Sequence, residues 1–279
     1  MIFIVTALMI EAAPIIEHYK LKKDMTIHAY PVYKNSEITL IISGVGKVKS
    51  AMAAVYLLSN YKFTVKDILL NIGFCGSSSN KFELGSLLAA HKITDMDTGK
   101  DYYPDIFAGS NIPKVALCCY SKLLKKEALD TDKDIFCDME SAGIMEVSQK
   151  FTYAHQVIIL KIISDFLKPE NLNKDILQGY IKKNLTYIKQ VIEELIQLNN
   201  NFDEFSLEEE EKLLNYISKN LRFTTAMKQL LFKEIKKAKI RGLEPLKVLE
   251  PFMKINVNSK LEGKNIFEQI NEKFKKRLV

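Results

Sequence analysis

The sequence predicts an α/β protein with a central mixed β-sheet flanked by helices, followed by an all-helical C-terminal appendage. Three observations lead there. Short apolar runs rich in β-branched residues alternate with helical patterns through about residue 200, the signature of a sheet covered by helices on both faces. An asparagine-rich, acidic stretch over 198–206 then reads as a boundary. Beyond it the strand signal fades and helical periodicity takes over. The expected division is a domain over 1–200 and a helical extension over 205–279.

Taken in order, the expected strands are 1–7, 38–44, 67–74, 84–93, 114–120, 133–139 and 155–165. The first, "MIFIVTA", lacks a basic leader and is followed by Glu11, so it reads as a buried strand and not as a signal segment. Helical spacing covers Ile10 to Tyr19, Val48 to Asn60, Ser141 to Phe151 and Leu172 to Leu198. In the extension, Ser206 with Glu209 resembles a capping box opening a helix over 207–219, and Gly242 closes a helix over Phe223 to Lys239. A short helix over Pro245 to Met253 and an amphipathic one over Gly263 to Arg277 complete it.

Composition narrows the functional classes. At 279 residues, 47% hydrophobic and 27% charged, the chain has the balance of a soluble globular protein. The absence of a run of about 18 uncharged apolar residues argues against a membrane span. Cys75, Cys118, Cys119 and Cys137 show no paired ligand spacing and the four histidines are scattered, so neither a metal nor a cofactor is expected. Reduced thiols point to the cytoplasm.

All three arginines, Arg222, Arg241 and Arg277, lie in the extension, as does most of the net positive charge: residues 201–279 hold 17 Lys plus Arg against 12 Asp plus Glu. Interspersed glutamates and sparse aromatics favour a solvated helix face over a nucleic-acid surface. The apolar positions Leu230, Leu231, Ile235 and Ile240 are expected to pack against the first domain, a second copy or another protein partner.

Carboxylates recur where strands of one sheet should end, and such ends are where α/β sheets place their sites. In "TALMIEAAPI", Glu11 opens a helix after a buried strand, a position where an acid also serves to offset the helix dipole. In "IFCDMESAGIMEV", Asp138 and Glu140 interrupt an apolar run just before a helix, so each is a cap candidate as well as a site candidate. In "KIISDFLKPE", Asp165 ends the most apolar strand. Glycines in "SGVGKVKSAMAA" and "LLNIGFCGSSS" let backbone amides approach a ligand, but the spacing is not that of a P-loop.

The order "ALMIEAAP", "SGVGKVKSAMAA", "NIGFCGSSS…LGSL", "DMESAGI" and "ISDF" resembles the nucleoside phosphorylase superfamily, most closely its methylthioadenosine/S-adenosylhomocysteine nucleosidases, over about residues 1–195. The resemblance implies a nucleoside phosphorylase-like sheet, a homodimer, and cleavage of the bond between adenine and a ribose modified at its 5′ position. It assigns Glu11 to activation of water and Asp165 to protonation of the leaving purine. It gives Glu140 the ribose hydroxyls, Met139 the sugar, and Gly76 the substrate-binding turn. The missing arginines favour water over phosphate as the nucleophile, because arginine's planar fork suits a phosphate clamp.

The chain also departs from that pattern. Phe74 stands where the nucleosidases carry a small hydroxyl residue, and the stretch 94–134 is short, leaving Tyr120 as a replacement stacking partner for the base. These departures keep two alternatives open. One is a nucleoside-binding or scaffold protein without turnover. The other is a hydrolase of another nucleoside, such as futalosine.

Overall fold

The computed structural model describes residues 1–61, 63–106, 108–124, 134–168, 173–200, 207–240 and 242–276. They form two compact units, Met1–Glu204 and Phe205–Val279.

The first unit runs β1 (Ile2–Thr6), α1 (Met9–Tyr19), β2 (Lys22–Lys23), β3 (Val32–Lys34), β4 (Ile38–Ile42), α2 (Lys47–Asn60), β5 (Ile68–Ser77), β6 (Leu87–Asp95), β7 (Asp101–Tyr102), β8 (Lys114–Cys119), β9 (Phe136–Asp138), α3 (Ser141–Phe151), β10 (Val157–Asp165) and α4 (Lys174–Asn200). The sheet is mixed. β1 pairs in parallel with β4 and β5, and β5 with β10, while β6 runs antiparallel to β10 and parallel to β8. Pairing of β8 with β9 and of β9 back onto β5 closes these strands into a ring, with β1, β4, β3 and β2 extending from it.

Side-chain alternation sorts the core into two layers. Phe3 and Val5 of β1, Leu69 of β5 and Ile159 and Ile163 of β10 pack with Ala53 and Leu57 of α2 and Ile144 of α3. Ile4, Leu70, Ile158 and Ile162 face the opposite way, onto Ile15 of α1 and Ile181, Ile188 and Ile192 of α4. Each such valine, leucine, isoleucine or phenylalanine, fully buried, contributes about 1.5–3 kcal/mol. Helices α2 and α3 approach closely because Gly143 has no side chain: a Cβ there would stand 2.1 Å from the Lys47 carbonyl oxygen. Ser50 Oγ, at the same contact, donates to the backbone carbonyl of Glu140 at 3.0 Å.

The second unit comprises α5 (Glu208–Asn220), α6 (Thr225–Ile240), α7 (Pro245–Leu249) leading into a 3-10 turn (Glu250–Phe252), and α8 (Lys260–Lys276). It has its own core of Leu214, Ile217, Leu231, Ile235, Leu249 and Phe274. This corrects the expectation for the apolar residues of α6. Leu231, Ile235 and Ala238 recur at helical spacing and are consumed inside the unit, while Leu230 is 52% exposed. The side chain of Ile240, Arg241, Arg277 and the expected Ser206 cap lie outside the described residues. Among the described residues no helix is long and apolar enough to cross a membrane.

Candidate active site

The chain leaves β1 through Ala7 and Leu8, whose N–H groups donate to Glu11 Oε2 at 2.7 and 2.9 Å. Phe74, near the carboxyl end of β5, donates its N–H to Glu11 Oε1 at 3.1 Å. Three amides thus hold a carboxylate that is only 3% exposed. Burial raises the pKa of Glu11, while the charge of Lys161 and these amides oppose that shift.

Glu140 follows β9. Its Oε1 accepts from the N–H of Gly46 at 3.0 Å, at the start of α2. Burial pushes its pKa up to about 7, against the pull of Lys161 and with the charges of Asp138 and Glu11 adding to the rise. Asp138 accepts from the N–H of Ser141 at 2.8 Å and from its hydroxyl at 2.6 Å, so it caps α3 as its position suggested.

Sequence reasoning missed Lys161. It lies in the middle of β10, on the face otherwise made of Val157, Ile159 and Ile163, and it is 1% exposed. Its Nζ stands 2.8 Å from Asp138 Oδ2 and 3.7 Å from Glu140 Oε2. Burial alone would lower its pKa, but the surrounding carboxylates, Asp138 first, raise it overall, so the group is a cation. The Asp138 contact is an ion pair without hydrogen-bond alignment, and the ammonium has no aligned partner among the described residues. The signal was a lone lysine interrupting the apolar run of "VIILKIISD".

Glu11 and Lys161 both press close to the strand at Gly73. A Cβ there would lie 3.0 Å from Glu11 Oε1 and 3.3 Å from Lys161 Nζ, so only a residue without a side chain leaves both groups where they stand.

Asp165 closes β10. Its Oδ2 accepts from Ser164 Oγ at 2.6 Å and its Oδ1 from the N–H of Lys168 at 3.1 Å. Glu11, Phe74, Gly76, Met139, Glu140 and Asp165 all line one cavity of about 200 Å³. Tyr120 is not among its walls. It lines an adjoining recess of about 50 Å³ together with Gly76, Met139 and Asp165. A larger cavity of about 290 Å³, walled by Leu84, Phe166, Ile176 and Tyr180, meets the site only through Ser164, Asp165 and Leu177 and adds no further carboxylate.

The central cavity carries four carboxylates, Glu11, Asp138, Glu140 and Asp165, and among the described residues neither lysine nor arginine lines it. Burial pushes the Cys137 thiol in its wall up to about 12 and raises that of Cys75 as well, so both are neutral and poor nucleophiles. Among the described residues no group of three or more His, Cys, Asp or Glu is placed to hold a metal ion. The arrangement suits proton transfer and stabilisation of a cationic centre.

Comparison with known proteins bears on this geometry. Residues 2–132 match the phosphorylase superfamily. The 5′-methylthioadenosine/S-adenosylhomocysteine nucleosidase of Lysinibacillus sphaericus is 31% identical over 65 residues, 23% of this chain; the match spans only about a quarter of that relative, 27%. Among solved structures, the 5′-methylthioadenosine/S-adenosylhomocysteine nucleosidase of Helicobacter pylori superposes with a TM-score of 0.57 at 19% identity, over 69% of this chain and 97% of that one. The futalosine hydrolase of Helicobacter pylori superposes equally, at 0.57 and 21% identity, over 69% and 97%.

Proposed function

We propose, from the match of residues 2–132 to the phosphorylase superfamily and the geometry of the cavity, that the N-terminal unit hydrolyses the N-glycosidic bond of a 5′-modified adenosine, releasing adenine. Candidate substrates are methylthioadenosine, S-adenosylhomocysteine and 5′-deoxyadenosine. One observation carries the reading: a cavity walled by four carboxylates and no basic side chain among the described residues repels phosphate and favours a cationic sugar. Of the two lysines beside the glycine turn after β4, Lys47 is committed to ion pairs with Asp95 and Asp97, and Lys49 lies along Gly44.

In this mechanism water enters the cavity beside Glu11 and donates to its carboxylate. As the bond from C1′ to the purine nitrogen breaks, positive charge develops on the sugar and electrons pass to the base. Asp165 gives a proton to the departing purine, Glu11 takes one from water, and the oxygen bonds to C1′. Glu140 accepts hydrogen bonds from the ribose hydroxyls and Met139 packs on the sugar. General acid and base catalysis of this kind contribute about 10²–10⁴-fold each. Lys161 keeps Glu11 able to ionise despite burial, which suits a base working near neutral pH.

A second copy of the chain is the expected partner. Val48, Met52 and Val55 form an exposed stripe along α2 (72%, 59% and 36%) that supports a self-association surface, and light scattering would measure it.

The deciding experiment is adenine release from the three candidates and from futalosine, with and without phosphate. Free adenine without phosphate supports the proposal, and phosphate-dependent release of a sugar phosphate rejects it. Tight nucleoside binding without product would mark a binding protein.

A further inference from the structure

The turn after β10 is strained at one residue. Leu167 has φ +59°, a left-handed conformation that bulky L-residues adopt at a cost. It is nevertheless 3% exposed, because this conformation turns the side chain inward. There it meets Gly76: a Cβ on Gly76 would lie 2.7 Å from Leu167 Cδ2, so the leucine fits only because its neighbour is bare. The same Cβ position is 3.7 Å from Asp165 Oδ1, which puts the leucine methyl and the carboxylate against one spot.

That spot borders the recess lined by Gly76, Tyr120, Asp165 and Leu167. The recess measures about 50 Å³ against about 200 Å³ for the cavity holding Glu11 and Glu140. A purine has at least as many non-hydrogen atoms as the ribose it leaves, so this recess, unlike the cavity of about 290 Å³ that meets Asp165 past Phe166, is too small for it while Leu167 stays against Gly76. Strained residues retained beside a site are where a function should be sought.

We infer that Leu167 is a specificity-determining gate: its side chain occupies the place beside Asp165 where the leaving base docks, and it withdraws from Gly76 when a nucleobase enters. The inference rests on the nucleosidase reading for the identity of the base. The base then binds only the fraction of molecules with the gate withdrawn, and its apparent affinity falls by that fraction.

Binding of free adenine to the full-length chain tests the gate separately from turnover. Leu167→Ala shortens the side chain, and Leu167→Asn does so with a residue that tolerates φ above zero. Both are expected to bind adenine about tenfold tighter than wild type, with KM for the nucleoside falling more than kcat. Unchanged or weaker adenine binding in variants with an intact melting transition overturns the gate and leaves the catalytic reading standing. Tighter adenine binding in variants of a protein that turns over no nucleoside sustains the gate and sinks the catalytic reading, and adenine binding by none of the three proteins sinks the gate. A wild-type crystal soaked with adenine needs no variant: base beside Asp165 with Leu167 still against Gly76 overturns the inference.

Discussion

Lys161 Nζ and Asp138 Oδ2 stand 2.8 Å apart with their side chains 2% and 0% exposed, an ion pair sealed beneath the candidate site. A buried pair of this kind contributes little net stability, but breaking it strands a charge. Lys161→Met leaves Asp138, Glu140 and Glu11 without their cation and is expected to cost about 3–5 kcal/mol, read as a lowered denaturation midpoint. A double variant with Asp138→Asn should recover part of that loss; additive losses would show that the pair does not couple.

The two acids of the β9 turn should separate by readout. Asp138 caps α3 and pairs with Lys161, so Asp138→Asn is expected to lower the melting temperature. Glu140→Gln keeps the Gly46 contact available but removes the charge offered to the ribose. It should raise KM and lower kcat, with the melting temperature held or raised. Equal, mild effects on turnover would return both residues to a structural role.

The pH dependence follows from the same carboxylate. With its pKa raised to about 7, Glu140 holds a proton more tightly in the folded chain than in the unfolded one. Its contribution to stability is therefore fully present below the ordinary carboxylate range and is lost as pH rises through about 7. The ribose clamp needs the ionised form, so kcat/KM should climb over that window while thermal stability declines. Glu140→Gln should flatten both curves, and a wild-type profile with no limb near neutrality would count against the clamp.

Gly73→Ala tests the placement of Glu11. The added methyl would sit 3.0 Å from Glu11 Oε1 and 3.3 Å from Lys161 Nζ, so both buried side chains must give way. The expected result is a fall in kcat of at least about tenfold, as for loss of one catalytic group, together with a lowered melting temperature. Retained turnover would show that Glu11 is not the base.

Much of this was legible in the chain, for identifiable reasons. β1, β5 and β10 announce themselves because strands buried on both faces are continuous apolar runs, and Glu11, Glu140 and Asp165 stand at or just past the ends of such runs. The short strands β2, β3 and β7 were not anticipated: two or three residues carry no period, and their pairing is set by neighbours. Closure of the ring through Gly76 and Cys137 was equally hidden, since register between distant strands depends on tertiary packing. Asp138 and Glu140 were already separable as cap and sugar contact, but Lys161, whose charge reaches both from another strand, was not anticipated.

The seam between α2 and α3 carries the proposed sugar contact, because Glu140 opens one helix, its Gly46 partner opens the other, and Gly143 sets their spacing. Ligand affinity can then be retuned from a residue no ligand ever meets. A side chain grown at 143 would wedge the seam and slacken the grip on the sugar hydroxyls, while every atom lining the cavity kept its chemical identity.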